Sequence, residues 1–180
     1  MPDCELMQDF HLPTRSCGGP SARAWAGSAM LIPDTPIVAA APFISTLPVA
    51  TVGGAIGRGL QAGGWPPPEL FPIVPESTGA PGVRALLDAL DFDARIHRAR
   101  AVIVAEGCFE KRALAGRTLI GSATFEVATR ARQAGVPAYA VLAENGLDSF
   151  DARILDLQAV LQARDARTLT AAGRKLATLI

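Results

Sequence analysis

Short apolar runs and longer amphipathic segments alternate along the chain from residue 36 onward. Runs without polar residues are typical of strands buried on both faces of a sheet, whereas apolar residues repeating every three or four positions indicate helices. The predicted strands are 36–41, 69–74, 101–105, 138–143 and 156–161. The predicted helices are 49–62, 82–90, 92–99, 121–134 and a closing helix with Leu169, Ala172, Leu176 and Leu179 on one face.

This alternation predicts the fold class. Strands that alternate with helices form parallel α/β sheets, and their crossovers are right-handed by default. We therefore expect a three-layer, Rossmann-like α/β protein in which helices cover both faces of a parallel sheet. The 180 residues suit a single domain of this kind. Residues 1–30 lack periodicity and are expected to form an irregular extension, which leaves 31–180 as the α/β domain.

Composition excludes several classes of function. Hydrophobic residues make up 49% of the chain, too many for a disordered protein, and a formal net charge of +0 gives no indication of a nucleic-acid partner. The Arg residues scattered through 84–132 are interpreted as a solvated surface. The three cysteines form no C-x-x-C pair and the chain has only two histidines, so no metal site is predicted. Free thiols are expected, as in the cytoplasm.

One long uncharged segment raises the question of a membrane span. No charged residue occurs from 35 to 57, which is long enough to cross a bilayer. Pro36, Pro42 and Pro48 would interrupt a spanning helix, however. The segment is therefore predicted to be a strand, a loop and a helix, without membrane association. The acidic start of the chain does not resemble a secretory signal.

Candidate chemistry lies in the loops that follow the strands. Ligands of open parallel sheets bind beyond the carboxyl ends of the strands, where the loops 42–48, 106–118 and 144–151 are predicted. Phosphate-loop, dinucleotide and nucleophile-elbow motifs are absent. The glycines of 53–59 fall inside a helix, where close helix packing explains them. The start of the 121–134 helix is suited to an anion, although ordinary capping is favoured there.

Two segments resemble the glycerate kinases of the bacterial type. The stretch "ARAVIVAEGCFEKRALAGRTLIG", followed by a helix and "AGVPAYAVLAE", is similar to that family's A-D-L-V-I-T-G-E-G, D-x-Q-T-x-x-G-K-x-P-I-G and G-x-P-V-x-A-I-A-G. Upstream, "AAAPFISTLPVATVGGAIGRGL" resembles A-P-D-S-F-K-G-S-L-S-A-x-x-V-A-x-A-I. The resemblance spans residues 36–180. The family is longer, however: a large second domain should follow "FPI", where "VPESTGAPG" leads directly into the next helix.

The polar residues of the family's motifs are largely replaced. The Lys that follows the position of Phe43 is Ile44, and the next Gly-Ser is Ser45-Thr46. In the second motif Glu106 and Gly107 remain. The family's Asp is Glu110, its Gln is Arg112 and its later Lys is Arg117. Phosphoryl transfer needs cations that neutralise the transferring phosphate, so the loss of the Lys removes stabilisation of the transition state.

The resemblance implies two functions. A degenerate, non-catalytic protein could be retained as a ligand-binding or subunit-interaction module, with a small organic acid or a nucleotide as its ligand. Alternatively, an active kinase would phosphorylate glycerate or a similar small hydroxy acid with ATP and Mg²⁺. In that enzyme Glu110 and Glu106 would be catalytic, with Glu106 helping to bind the metal. The substrate-binding residues would be Ser45, Thr46, Gly107, Arg112 and Arg117.

Two further alternatives remain open. The chain could be an unrelated α/β protein that matches the family by drift. It could also form a homo-oligomer, which an exposed apolar face near residues 63–81 would favour because the family's second domain should dock there.

Overall fold

Five strands and six helices alternate in the computed structural model, which describes residues 35–44, 47–74, 82–109 and 122–180. These residues fall in one compact unit, Ile32–Ile180. The strands are β1 (Ile37–Ala40), β2 (Glu69–Pro72), β3 (Val102–Phe109), β4 (Ala138–Asn145) and β5 (Leu157–Gln162). The helices are α1 (Val49–Ala62), α2 (Val83–Ala89), α3 (Phe92–Ile96), α4 (Ala123–Ala134), α5 (Ser149–Ile154) and α6 (Ala166–Ala177). The extension predicted at 1–30 lies outside the described residues.

The strands form one parallel sheet in the order β2-β1-β3-β4-β5. The chain adds β2 on one side of β1 and then returns to place β3 on the other side. This is the doubly wound order of flavodoxin-like sheets, whose switch point lies between β1 and β3. The predicted α/β class with a parallel sheet is confirmed.

Two apolar clusters lie on opposite faces of the sheet and give the fold its three layers. Val38 and Ala40 of β1 belong to the cluster covered by α1 and α6. Ile37 and Ala39 belong to the other cluster, which includes residues of α2, α3 and α4. Because successive strand residues point to opposite faces, strands covered on both sides are apolar at every position. Burial on both faces therefore explains the continuous apolar runs in the sequence.

Two strands are longer than predicted, and one helix was not predicted. β3 continues beyond 105 because Cys108 and Phe109 pair with Glu144 and Asn145 of β4. The predicted loops 106–118 and 144–151 therefore begin with strand residues. The second of these loops also contains the first residues of α5, whose start is fixed by a capping box between Asp148 and the third helical residue.

In the described part of the uncharged segment 35–57, β1 and the first part of α1 form as predicted. Across the ranges that the structure describes, no helix has both the length and the apolar character needed to cross a membrane.

Candidate functional site

Main chain fills the described part of the switch point at the carboxyl end of β1. Gly107 N donates a hydrogen bond to the carbonyl of Pro42 at 3.0 Å. A Cβ at Gly107 would lie 1.7 Å from the carbonyl oxygen of Phe43, so only glycine fits at this approach. Phe43 itself is buried in the cluster beneath α1 and α6. The chain leaving β1 therefore lies close against Gly107, near the carboxyl end of β3, where a ligand crevice is expected in this sheet order.

Glu106 links the end of β3 to the start of α4. Its carboxylate accepts hydrogen bonds from Ser122 Oγ at 2.9 Å, Ala123 N at 3.1 Å and Thr124 N at 2.9 Å. Ser122 is the N-cap and accepts a further bond from Phe125 N at 3.3 Å. The first N–H groups of a helix lack partners within the helix and carry partial positive charge, which a carboxylate complements. Ordinary capping is confirmed, and the chain's own carboxylate occupies the predicted anion position.

These hydrogen bonds predict that Glu106→Gln lowers the stability of the protein. An amide offers one acceptor oxygen and carries no charge, so it cannot satisfy the three donors or complement the helix dipole. We expect a loss of roughly 1–3 kcal/mol in the free energy of unfolding, measured by urea denaturation.

The matched control is Glu144→Gln, on the neighbouring strand β4. Glu144 is exposed, and its substitution should change the free energy of unfolding by less than about 0.5 kcal/mol. Equal stability of the two variants would contradict a structural role for the Glu106 carboxylate.

Of the predicted site residues, the structure describes Glu106 and Gly107. Glu106 and Gly107 are consecutive residues of β3 at the switch point. Ser45, Thr46, Glu110, Arg112 and Arg117 lie outside the described residues, so their roles stay predictions. In the described ranges, no group of three or more His, Cys, Asp and Glu residues is arranged to hold a metal ion.

A second polar cluster lines an open groove of about 300 Å³ between α2, α3 and α4. Its lining is polar or charged at every position: Arg84, Asp88, Asp93, Glu126, Thr129, Arg130 and Gln133. None of these residues was selected as a site from the sequence. The only signal for them is the spacing of Glu126, Thr129, Arg130 and Gln133, which places them on one face of α4.

Arg130 occupies the centre of this cluster. Its guanidinium donates to Asp93 Oδ2 at 2.9 Å, to Asp88 Oδ1 and to the carbonyl of Arg84 at 3.3 Å, and only 10% of its side chain is exposed. Burial by itself lowers the pKa of Arg130, but hydrogen bonds to Asp88 and Asp93 reverse this effect and leave the pKa raised. The prediction of a solvated surface for the Arg residues is therefore wrong for Arg130, because α2 and α3 cover it.

Two members of the cluster have unusual surroundings. Glu126 is buried, with 6% of its side chain exposed, and pairs with Arg84 Nε at 3.3 Å. Arg130 Nε is buried and has no hydrogen-bond partner. Since buried polar groups are nearly always paired, this nitrogen is an exception.

The strand order and the helices on both faces define a doubly wound, parallel α/β protein. The model of the glycerate kinase family matches residues 44–180, and the chain belongs to that family. No curated protein matches the chain. One similar solved structure is the crystal structure of a diflavin flavoprotein A3 from Nostoc sp., which is 11% identical, covers 81% of this chain and 93% of its own, and has a TM-score of 0.42.

Proposed function

We propose that the chain is a non-catalytic member of the glycerate kinase family, retained as a ligand-binding or subunit-interaction module. The observation that carries this proposal is the engagement of Glu106 with the first residues of α4. In the kinase alternative this carboxylate would help to bind the metal, whereas here it accepts three hydrogen bonds from α4 and its N-cap.

The requirements of phosphoryl transfer support this proposal. Mg²⁺ demands near-octahedral oxygen ligands, and the metal and nearby cations neutralise the transferring phosphate. Two of the three donors to Glu106 are main-chain N–H groups, which would lose their acceptor if the carboxylate turned toward a metal. Glu106 as placed therefore does not fit the role of a Mg²⁺ ligand. It also fills the helix N-terminus, a position at which a phosphate is commonly bound.

The replacement of the family's Lys by Ile44 gives further support. Ile44 is partly buried and packs against the apolar cluster beneath α1 and α6. An apolar side chain thus occupies the position, just after β1, where the resemblance implies a cation. Loss of one positioned charge-stabilising group typically costs 10²–10³ in kcat, about 2.7–4 kcal/mol.

Exposed apolar surface supports the subunit-interaction form of the proposal. Leu70 and Val74, in and just after β2, are 48% and 50% exposed. Leu70 also lines a small apolar groove, together with Pro72 and with Val49 and Gly53 of α1. These residues lie in or beside the 63–81 region, where the resemblance implies that the family's second domain should dock.

The alternative is an active ATP-dependent kinase for glycerate or a similar small hydroxy acid. Family membership across residues 44–180 favours it, as does the position of Glu106 and Gly107 at the switch point. In this alternative Glu110 orients the substrate hydroxyl, while Arg112 and Arg117 hold the carboxylate or the phosphate.

An assay for ADP release with Mg²⁺-ATP and D-glycerate tests the proposal. We expect no turnover above the protein-free blank. Turnover that is lost in both Glu110→Ala and Arg117→Ala, but kept in Glu144→Ala, would overturn the proposal and establish the kinase.

Thermal unfolding then separates the two forms of the module. A ligand present at 100 times its Kd should raise the free energy of unfolding by about 2.7 kcal/mol. A shift with Mg²⁺-ATP or with D-glycerate indicates a ligand-binding module. No shift, together with concentration-dependent self-association in sedimentation, indicates subunit interaction.

A further inference from the structure

We propose that the edge strand β5 pairs with β5 of a second copy of this chain, in an antiparallel arrangement with two-fold symmetry. This surface lies at the opposite edge of the sheet from β2. The inference deepens the subunit-interaction form of the proposed function, on which it rests, because it names the surface, the partner and the number of copies.

Main-chain groups of β5 point alternately toward β4 and toward the edge of the sheet. Ala163 N, just after β5, donates to the carbonyl of Leu142 at 3.0 Å, so the N–H and C=O groups of Val160 and Gln162 point away from β4. The register shift in the β4–β5 pair falls at the beginning of β5 and leaves 159–162 regularly paired. Among the described residues, no strand lies beyond β5 in the sheet. The edge therefore presents donors and acceptors to an added strand.

The two edges of the sheet differ in how they receive a strand. In β2, Ile73 N donates to the carbonyl of Ala40 at 2.7 Å, so the preceding residue, Pro72, faces the edge and has no N–H to offer there. β5 has the sequence "LQAVLQ", without the proline or charged residues that commonly protect an edge strand. Since each copy has one edge suited to strand addition, the assembly closes at two copies instead of extending into a filament.

The sequence of β5 is complementary to itself in an antiparallel pair. We place Val160 opposite Val160 of the second copy, where the two residues exchange two main-chain hydrogen bonds. Ala159 then lies opposite Leu161 of the second copy. Gln158 lies opposite Gln162 of the second copy. Each apolar side chain therefore meets an apolar one and each amide meets an amide, which are favourable cross-strand pairs without charge repulsion.

Exposed apolar side chains beside β5 favour the same partner. α5 ends at Ile154, shortly before β5 begins, and packs beside β5 on the face of the sheet that α2, α3 and α4 cover. Phe150 and Ile154 lie four residues apart on α5 and are 66% and 45% exposed. A two-fold axis perpendicular to the sheet places α5 of the second copy on the same face. Stable interfaces bury roughly 1,200–2,000 Å² in total, and these side chains add apolar area to that of the paired strands.

Opposite charges at the central pair test the inference. Val160→Lys would place two ammonium groups opposite each other and Val160→Glu two carboxylates. Each variant should therefore weaken self-association of the full chain at least about tenfold in sedimentation velocity. An equimolar mixture of the two variants pairs lysine with glutamate and should restore association. Because unfolded variants would not rescue each other, the mixture separates a lost contact from a lost fold.

Amide hydrogen exchange provides a measurement that needs no variant. The N–H groups of Val160 and Gln162 face the edge, whereas that of Leu161 bonds within the sheet to β4. Raising the protein concentration should slow exchange at Val160 and Gln162 and leave exchange at Leu161 unchanged. Equal exchange at Val160 in dilute and concentrated protein would contradict the pairing.

Leu70→Lys, at the other edge of the sheet, is the matched control and should leave self-association unchanged. Absence of self-association, a mixture that does not associate, or loss of association in Leu70→Lys alone would each overturn the inference. The last result would keep the subunit-interaction form and move its surface to β2. ADP release decides separately whether the protein is catalytic, so failure of this inference and failure of the proposed function are distinguishable.

Discussion

Replacing Gly107 by alanine is expected to lower the free energy of unfolding by more than about 3 kcal/mol, above the usual range of about 1–3 kcal/mol for overpacked sites. The new Cβ would lie 1.7 Å from the carbonyl oxygen and 2.6 Å from the carbonyl carbon of Phe43. Both atoms belong to the main chain, so no side-chain rotation can relieve the collision. The connection after β1 must move, and it would lose the hydrogen bond from Gly107 N to the Pro42 carbonyl.

Urea denaturation of Gly107→Ala beside Gly82→Ala checks this expectation. Gly82 is the N-cap of α2 and has negative φ, and a Cβ at this position would have no neighbouring atom within 4 Å. Alanine there should cost roughly 0.5–1 kcal/mol, because glycine is the better N-cap. If both variants lost equally little stability, the main chain of Phe43 would not lie against Gly107.

Most of the fold could be predicted because the central strands are buried on both faces. β1 and the first parts of β3 and β4 are apolar runs for this reason, and the helices between them carry clear apolar stripes. The end of β3 was missed because its side chains alternate there: Gly107 and Phe109 are buried, whereas Cys108 is exposed. Such alternation over four residues resembles a loop when the strand is recognised only by its apolar run.

α5 was missed because it is short and its signals are weak. Six residues give less than two turns, too few for a clear helical period. Its start is fixed by Asp148 and Asp151, which form a capping box with carboxylates instead of the common Ser or Thr with Glu. Asp residues between two strands are equally typical of turns.

The site was harder to predict because its contacts join distant residues. Glu106 was selected as a polar residue at the end of a strand. Its partners lie 16 to 18 residues further on, and only the packing of α4 against β3 brings them together. Arg130 presents the same difficulty. In the sequence it is one of several arginines scattered between acidic and apolar residues, a pattern that suggests a solvated surface, and only the position of α2 and α3 shows that it is covered.

The second large loss of stability is expected for Gly59→Ala and Gly173→Ala, because α1 and α6 pack closely at these two glycines. A Cβ at Gly59 would lie 2.2 Å from the carbonyl oxygen of Thr170, and one at Gly173 would lie 2.3 Å from that of Ile56. The close helix packing predicted for the glycines of 53–59 is thus confirmed at Gly59. Each substitution should cost about 3 kcal/mol, a decrease of roughly 6–12 °C in Tm for a domain of this size.

Gly54→Ala is the matched control, because it lies in the same helix as Gly59. A Cβ at Gly54 would have its nearest neighbour, an Arg58 nitrogen, at 3.6 Å, which is an ordinary contact. Alanine there should raise stability by up to about 1 kcal/mol through its higher helix propensity. The Tm should therefore fall for Gly59→Ala and rise for Gly54→Ala, although the two substitutions are identical and lie five residues apart. Since helix propensity favours alanine at both positions, destabilisation at Gly59 alone would isolate the contact with α6 as its cause, and stabilisation at both would contradict that contact.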